Sequence, residues 1–480
     1  MAEQKSSGWN GPVPYVGRQL YAPAHPEVIM IFSSSLPRFK TFLADFEGKS
    51  SDWACSLLLI VPFLLPTCRR SVAAAARSIL HEVRDAGWLL RWLGGSSAPA
   101  AVLAAAQNQL LQAARDQTHR LHVLVIDSTM HGQQGQHTQN TYSCRNTQKR
   151  PRKSDRHQKK FHRRREHCFV FALLLTPQGL RIPYWLPFYT QPYCALVGRE
   201  HYTQADLAAQ LIDALPLTAR TPVVVVADTA FEAQQVRRSC ARRGWQWVVP
   251  LNPERRLAGK QGQRPKVRSL YGQLDAQHFD QVSFRLDQGE LAALARVSSR
   301  RSQSGKPQRT YWVHHRTATI HHVGTVALLF STKNDPTASG EVNVQKVLIS
   351  NAVSATTQQL LAWFALRWQI ELFFKEMKSE LGMCQYKFGP FARVVGWVSL
   401  SVVSFCYLEW YRWHQQQEAP GKEKGYWQRL RTAGLKEKVR QQVQRRDLEA
   451  LLALAGANDG PQRLSALLEK IGGDPPDVAA

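Results

Sequence analysis

A chain of 480 residues with 44% hydrophobic and 20% charged residues can build sizeable cores, which excludes a largely disordered chain and predicts roughly two to four domains. Lys and Arg number 62 against 36 Asp and Glu. The net charge of +26 makes a nucleic-acid phosphate backbone the favoured partner and a merely soluble basic protein the weaker reading.

Eight cysteines are dispersed with no Cys-x-x-Cys pair, which argues against a zinc ribbon or redox motif and fits a reducing compartment. No secretory signal opens the chain. The apolar runs Cys55 to Leu65 and Val394 to Leu408 are shorter than the roughly 20 residues of a membrane span and read as core helices.

Residues 1 to about 30 are rich in Gly and Pro and read as irregular. From Pro37 to about Gln117 the pattern is helical, with one helix over Arg70 to Leu93 stopped by Gly94-Gly95, and a second over Ala100 to Arg115. At His122 the character changes. HVLVID is a short apolar, β-branched run that reads as a buried strand ending at Asp127. Arg145 to Arg165 carries eleven Lys/Arg against Asp155 alone, so it is expected to be a solvated, mobile segment that contacts phosphates or merely solubilises.

Cys168 to Leu175 and Leu180 to Tyr189, joined by Pro177-Gln178-Gly179, read as paired strands. Thr203 to Leu215 reads as a helix, and Pro222 introduces VVVVAD, a second buried strand ending in Asp228. Phe231 to Arg243 is the next helix and Trp245 to Pro250 a further strand, which makes an α/β core with a mixed sheet. Short strands then follow to about Ser350, including Leu291 to Val297, Tyr311 to His315, Thr325 to Phe330 and Val344 to Ile349. Ser354 opens a helix whose stretch WFALRWQIELFFKEMK has two faces. Leu366, Ile370, Phe373, Met377 and Leu381 form an apolar stripe, while Phe364, Arg367, Glu371, Lys375 and Lys378 form another face. Beyond Tyr411 the chain is basic and helical to Leu454, then fades into a disordered GGDPPDVAA tail.

The expected domains are a helical 1–118 able to bind DNA, a first core part over 119–250 and a β-rich insertion over 251–352. A second core part over 353–410 and a basic helical 411–480 complete the chain.

The chemistry is carried by carboxylates. Asp127 and Asp228 end apolar strands, the edge at which open α/β sheets bind ligands, and Glu371 lies on a helix able to cross that edge. Taken singly, each aspartate reads more readily as a turn or cap residue, and Glu371 as a solvated helix position. Together in a strongly basic chain they suit phosphodiester cleavage, where two Mg²⁺ ions about 4 Å apart neutralise charge on the entering and leaving oxygens. Arg367 and Lys378 beside Glu371 would hold phosphates. The pairs His314-His315 and His321-His322 lack partners at zinc-ligand spacing.

These residues resemble the DDE transposases of bacterial insertion sequences, in the group usually called the IS-four family. That family's signature is Tyr, two residues, Arg, three residues, Glu, six residues, Lys. It is met at Arg367, Glu371 and Lys378, with Phe364 where the tyrosine is expected. VIDST, VVADTAF and LRWQIELFFKEMK resemble the three acidic regions, with separations of 101 and 143 residues between successive acids. The resemblance implies an RNase H-like mixed sheet flanked by helices and interrupted by a β-rich insertion, with Asp127, Asp228 and Glu371 as catalytic metal ligands. Two Mg²⁺ ions are implied, with Mn²⁺ as the alternative. Arg367, Lys378, Lys375 and, for stacking on a flipped base, Trp312 are the DNA-binding candidates. For Trp312 a core position is the competing reading. The implied reaction is cut-and-paste transposition on double-stranded transposon ends and target DNA, by a homodimer or larger complex. It implies a bacterial cytoplasmic protein, nucleoid-associated when bound to DNA, with no membrane partner. A catalytically inactive DNA-binding derivative and a general nuclease on the same fold are the alternatives.

Overall fold

A computed structural model describes residues 32–465 apart from 66–70, 77, 80–84, 116–118, 134–136, 146–162, 260–263, 297–307, 340–341, 458, 460 and 464. The first 31 residues, the GGDPPDVAA tail and most of the basic run Arg145 to Arg165, about which the sequence made specific expectations, therefore lie outside the described residues.

Ten strands form one sheet. β1 (His122–Gln133) lies between β3 (Arg163–Leu175), antiparallel to it, and β5 (Val223–Ala227), parallel to it. β4 (Arg181–Pro187) covers the outer edge of β3 along its C-terminal half, and β2 (Tyr142–Arg145) along its N-terminal half. β6 (Gln246–Pro250) is parallel to β5. The order β4-β3-β1-β5-β6, an antiparallel meander followed by two parallel strands, is an RNase H-like sheet. Val123 to Ile126 and Val223 to Ala227 are buried, as strands covered on both faces require.

The insertion continues this sheet. β7 (Asp280–Arg285), β8 (Gln308–Ile320), β9 (Gly324–Thr332) and β10 (Lys346–Ser350) follow one another antiparallel, and β10 pairs with β6. The expected strand at Leu291 to Val297 is instead a short helix, Gly289–Ala295. A short apolar run does not distinguish the two by periodicity, and its Leu and Ala residues favour helix.

Helices α1 (Ser50–Leu64), α2 (Ala86–Gly95) and α3 (Ala98–Ala114) pack against α8 (Phe391–Glu418), the longest helix. Arg70 to Leu93 is not one helix. Asp85, in extended backbone, starts α2 afresh by accepting a 2.8 Å hydrogen bond from the Trp88 N–H. Phe63 meets Trp397 at 4.6 Å and Phe42 meets Tyr407 at 5.4 Å between ring centroids. Gly396 allows α8 to approach α2, because a Cβ there would collide with the Leu93 carbonyl. At 28 residues α8 exceeds the expected Val394 to Leu408 and is long and apolar enough to cross a membrane. Here 83% of its apolar window is buried inside the fold. None of Cys168, Cys194, Cys240, Cys384 and Cys406 forms a disulfide.

Between β4 and β5 the chain crosses through α4 (Gln204–Ala214), whose first turn is closed by a reciprocal Thr203–Asp206 capping box. α5 (Gln234–Arg242) makes the second crossover, from β5 to β6. The helix expected from Ser354 is built in pieces. Thr356 and Gln359 cap α6 (Thr357–Ala365), followed by α7 (Trp368–Lys375) and a π-helical turn over Glu376–Glu380. At the junction Leu366, Arg367, Gln369 and Ile370 each donate three residues back, a local 3₁₀ tightening. The winding continues in the same sense, so Leu366, Ile370, Phe373, Met377 and Leu381 all remain buried. From Pro420 the chain forms a helix over Gly421–Arg429 and then α9 (Thr432–Ala455).

Candidate active site

The site is set by register. β1 and β5 pair in parallel from His122 with Val223 up to Ile126 with Ala227. Asp127 and Asp228 occupy the next position on each strand. Asp127 does not end its strand as expected. β1 continues to Gln133 by pairing with β3, and Asp127 lies opposite Phe171. Asp228 leaves the sheet at once and precedes a 3₁₀ turn, with the Phe231 N–H donating to its carbonyl at 2.9 Å.

α7 brings Glu371 over this edge. Its apolar stripe anchors it between sheet and α8: the Phe373 ring lies 5.4 Å from Phe171 and 4.9 Å from Phe405. Arg367 then joins helix to strand. Its guanidinium bonds the Glu371 carboxylate, and its Nη1 lies 3.5 Å from Asp127 Oδ2. The second Asp127 oxygen accepts from the Ser128 N–H at 2.8 Å.

Burial pushes the Asp127 carboxyl up to about 6. The Ser128 N–H and Arg367 oppose this, while the charges of Asp228 and Glu371 add to it. All three carboxylates thus share one electrostatic neighbourhood. Oxygen-only donors that repel one another suit a hard divalent cation such as Mg²⁺ or Mn²⁺. Their present spacing does not complete a cage: among the described residues no group of three acidic, His or Cys donors lies close enough to hold a metal ion. The Arg367 guanidinium bridges two of the acids.

Lys346, which sequence reasoning missed, belongs to the same cluster. It begins β10 and its ammonium lies 4.7 Å over the Phe364 ring. Packing and Arg367 lower its pKa, and Asp228 and Glu371 pull it back up. No spacing rule marks Lys346, because only the pairing of β10 beside β6 carries it there. Phe364, which lacks the expected tyrosine hydroxyl, uses its ring face for this contact.

Lys378 is fixed to β1, donating to the Met130 carbonyl at 3.1 Å. Lys375 is exposed and lines a separate cavity with Arg181 and Arg296. Trp312 lies on β8 opposite Gln281 and Thr332, half-buried against the core. A cavity of about 450 Å³ opens beside Arg367, and it is lined by Tyr311 rather than Trp312, together with Lys346, Phe364 and Trp368. Trp368 is 51% exposed.

A family model described as the transposase DDE domain matches residues 118–388, more than half of the chain. The chain belongs to this DDE transposase family. The matched DDE domain holds all ten strands, both aspartates, Glu371 and Lys378, and it stops short of α8. Among curated proteins no match to the chain is found. Membership supports a transposase function, and with it divalent-metal chemistry and DNA as partner.

Proposed function

We propose that this DDE transposase is of the IS-four type, cutting DNA at the ends of an insertion sequence and joining the freed 3′ ends to target DNA. Asp127, Asp228 and Glu371 are the residues that would hold two Mg²⁺ ions. Bound there, the metal supplies charge stabilisation to the entering and leaving oxygens of the phosphodiester.

The observation that carries this reading is the register of β1 and β5, which sets Asp127 beside Asp228, with Glu371 tied to Asp127 through Arg367. The chain's own groups do the rest. Arg367 positions two acids, and its planar guanidinium fork is suited to a DNA phosphate beside them. Lys346 and Lys378 add positive charge along that helix and strand edge, which holds the DNA backbone against the acids, and exposed Lys375 extends the charge onto the neighbouring flank. Trp312, half-buried on β8, is a further proposed DNA contact on the insertion. The 1–118 region and the basic 411–480 region are proposed to extend the DNA footprint, with a homodimer or larger complex pairing two ends in the bacterial cytoplasm.

The test is metal-dependent cleavage of a duplex carrying the element's terminal inverted repeat, by wild type and by Asp228→Ala. Loss of cleavage with DNA binding retained supports the reading. Full cleavage by Asp228→Ala would contradict it. Retention of all three acids argues against an inactive DNA-binding derivative.

A further inference from the structure

A second charged centre lies on another flank of α7. Glu409, in the middle of α8, is 1% exposed, and three guanidinium groups converge on it. Arg181 approaches at 2.9 Å, Arg296 at 2.6 Å and Arg412 at 3.2 Å. Arg181 also meets Glu376, in the π-turn after α7, at 2.9 Å. Three buried cations therefore face two carboxylates, and one positive charge is left over where an uncompensated charge is costly.

Two further observations concern Arg296. Its backbone is left-handed, with φ of 44°, a conformation that long side chains rarely adopt and that persists only when the surroundings hold it. Burial first, and then the neighbouring Arg181 and Arg412, depress its pKa to about 9, while Glu409 and Glu376 pull it back up. Arg181 and Arg296 also line a cavity of about 280 Å³ bordered by Lys375, Arg429 and Arg431. With Glu376 and Glu380 of the lining counted, and Glu409 behind Arg181 and Arg296, five cations meet three carboxylates.

We propose that this cavity binds a phosphate group, with Arg181 and Arg296 as its floor and Arg429 and Arg431 as its rim. A phosphate supplies the missing negative charge and several acceptor oxygens for the guanidinium forks. Its seat joins the insertion through Arg296, the Glu371 helix through Lys375 and the C-terminal helices through Arg429 and Arg431, so occupancy fastens these three parts together. The phosphate is either a backbone group of bound DNA or a free phosphate compound. This inference does not rest on the acidic site.

The experiment measures melting of the full chain with inorganic phosphate against chloride at constant ionic strength. Wild type is expected to gain several degrees, saturating with phosphate. Arg296→Gln should lose the gain, and the exposed-rim variant Arg431→Gln, which leaves the buried cluster untouched, should lose at least about half of it. No saturable gain in wild type, or an equal gain in Arg431→Gln, overturns the proposal. The salt dependence of duplex DNA binding then identifies the source. A slope reduced by about one in Arg431→Gln assigns the pocket to a DNA phosphate. An unchanged slope with the phosphate effect lost assigns it to a free phosphate compound.

Discussion

Arg367 and Asp127 lie 240 positions apart in the chain, yet the arginine Nη1 is 3.5 Å from the aspartate Oδ2. The same guanidinium bonds Glu371, so one cation ties the helix to the strand. In the metal-free protein it screens two acids that would otherwise repel. Replacing it with alanine is expected to raise the Asp127 pKa further above 6 and to lower metal-free stability by about 1 kcal/mol. Urea denaturation with chelator present measures this. Arg367→Lys should recover only part, because an ammonium does not bridge as a fork. Equal stability of wild type and Arg367→Ala would show that the bridge contributes nothing.

The raised Asp127 pKa also sets a pH dependence. In the unfolded chain the carboxyl keeps its ordinary value of 3.8, and in the fold burial pushes it up to about 6. The fold therefore binds the proton more tightly. This contribution to stability is full below about pH 4 and is lost as pH rises through about 6. Asp127→Asn, always neutral, should remove that loss and make the metal-free protein more stable than wild type at pH 7.5, by on the order of 2 kcal/mol. Chemical denaturation at pH 5 and pH 7.5 separates the outcomes. A wild type as stable as the variant at both pH values would refute the strained carboxylate. Cleavage should run the other way, weakening as pH falls because protons compete with the metal for Asp127.

Phe373 is fully buried and anchors α7 against Phe171 and Phe405. Phe373→Ala should cost about 3–5 kcal/mol, and Phe373→Leu clearly less. Urea midpoints measure the two variants. Wild-type stability in Phe373→Ala would mean that α7 is not held by this face.

Lys378 donates to the Met130 carbonyl, so it steers the edge of β1 as well as carrying charge. Lys378→Ala should weaken duplex binding and reduce the salt slope by about one. Lys378→Arg should keep the slope. Fluorescence anisotropy across a salt series reads both, and an unchanged slope in Lys378→Ala would remove this residue from the DNA contact.

Much of the site was legible in local pattern. The apolar β-branched runs located both aspartates, and helical spacing placed Leu366, Ile370, Phe373, Met377 and Leu381 on one buried stripe. The α/β core with a mixed sheet also followed from the alternation of strands and helices, while its RNase H-like form was implied by the family resemblance. Local pattern did not show the break between α6 and α7, because a brief 3₁₀ tightening leaves the stripe on the same side. It did not show that β1 runs past Asp127, where the continued pairing comes from β3. Lys346 was invisible for the same reason: its place depends on the pairing of distant strands, which periodicity does not encode.

The central claim is that Asp127, Asp228 and Glu371 act as one divalent-ion site. The direct measurement is Mn²⁺ binding, by calorimetry or spin resonance, in the presence of terminal-repeat DNA, alongside cleavage of the same DNA. Wild type should bind and cleave. Asp127→Asn, Asp228→Asn and Glu371→Gln should each lose most of the bound Mn²⁺ and on the order of 10³-fold in cleavage rate, the loss of several kcal/mol of charge stabilisation. If any one of these variants bound Mn²⁺ and cut DNA at the wild-type rate, the three acids would not be the site.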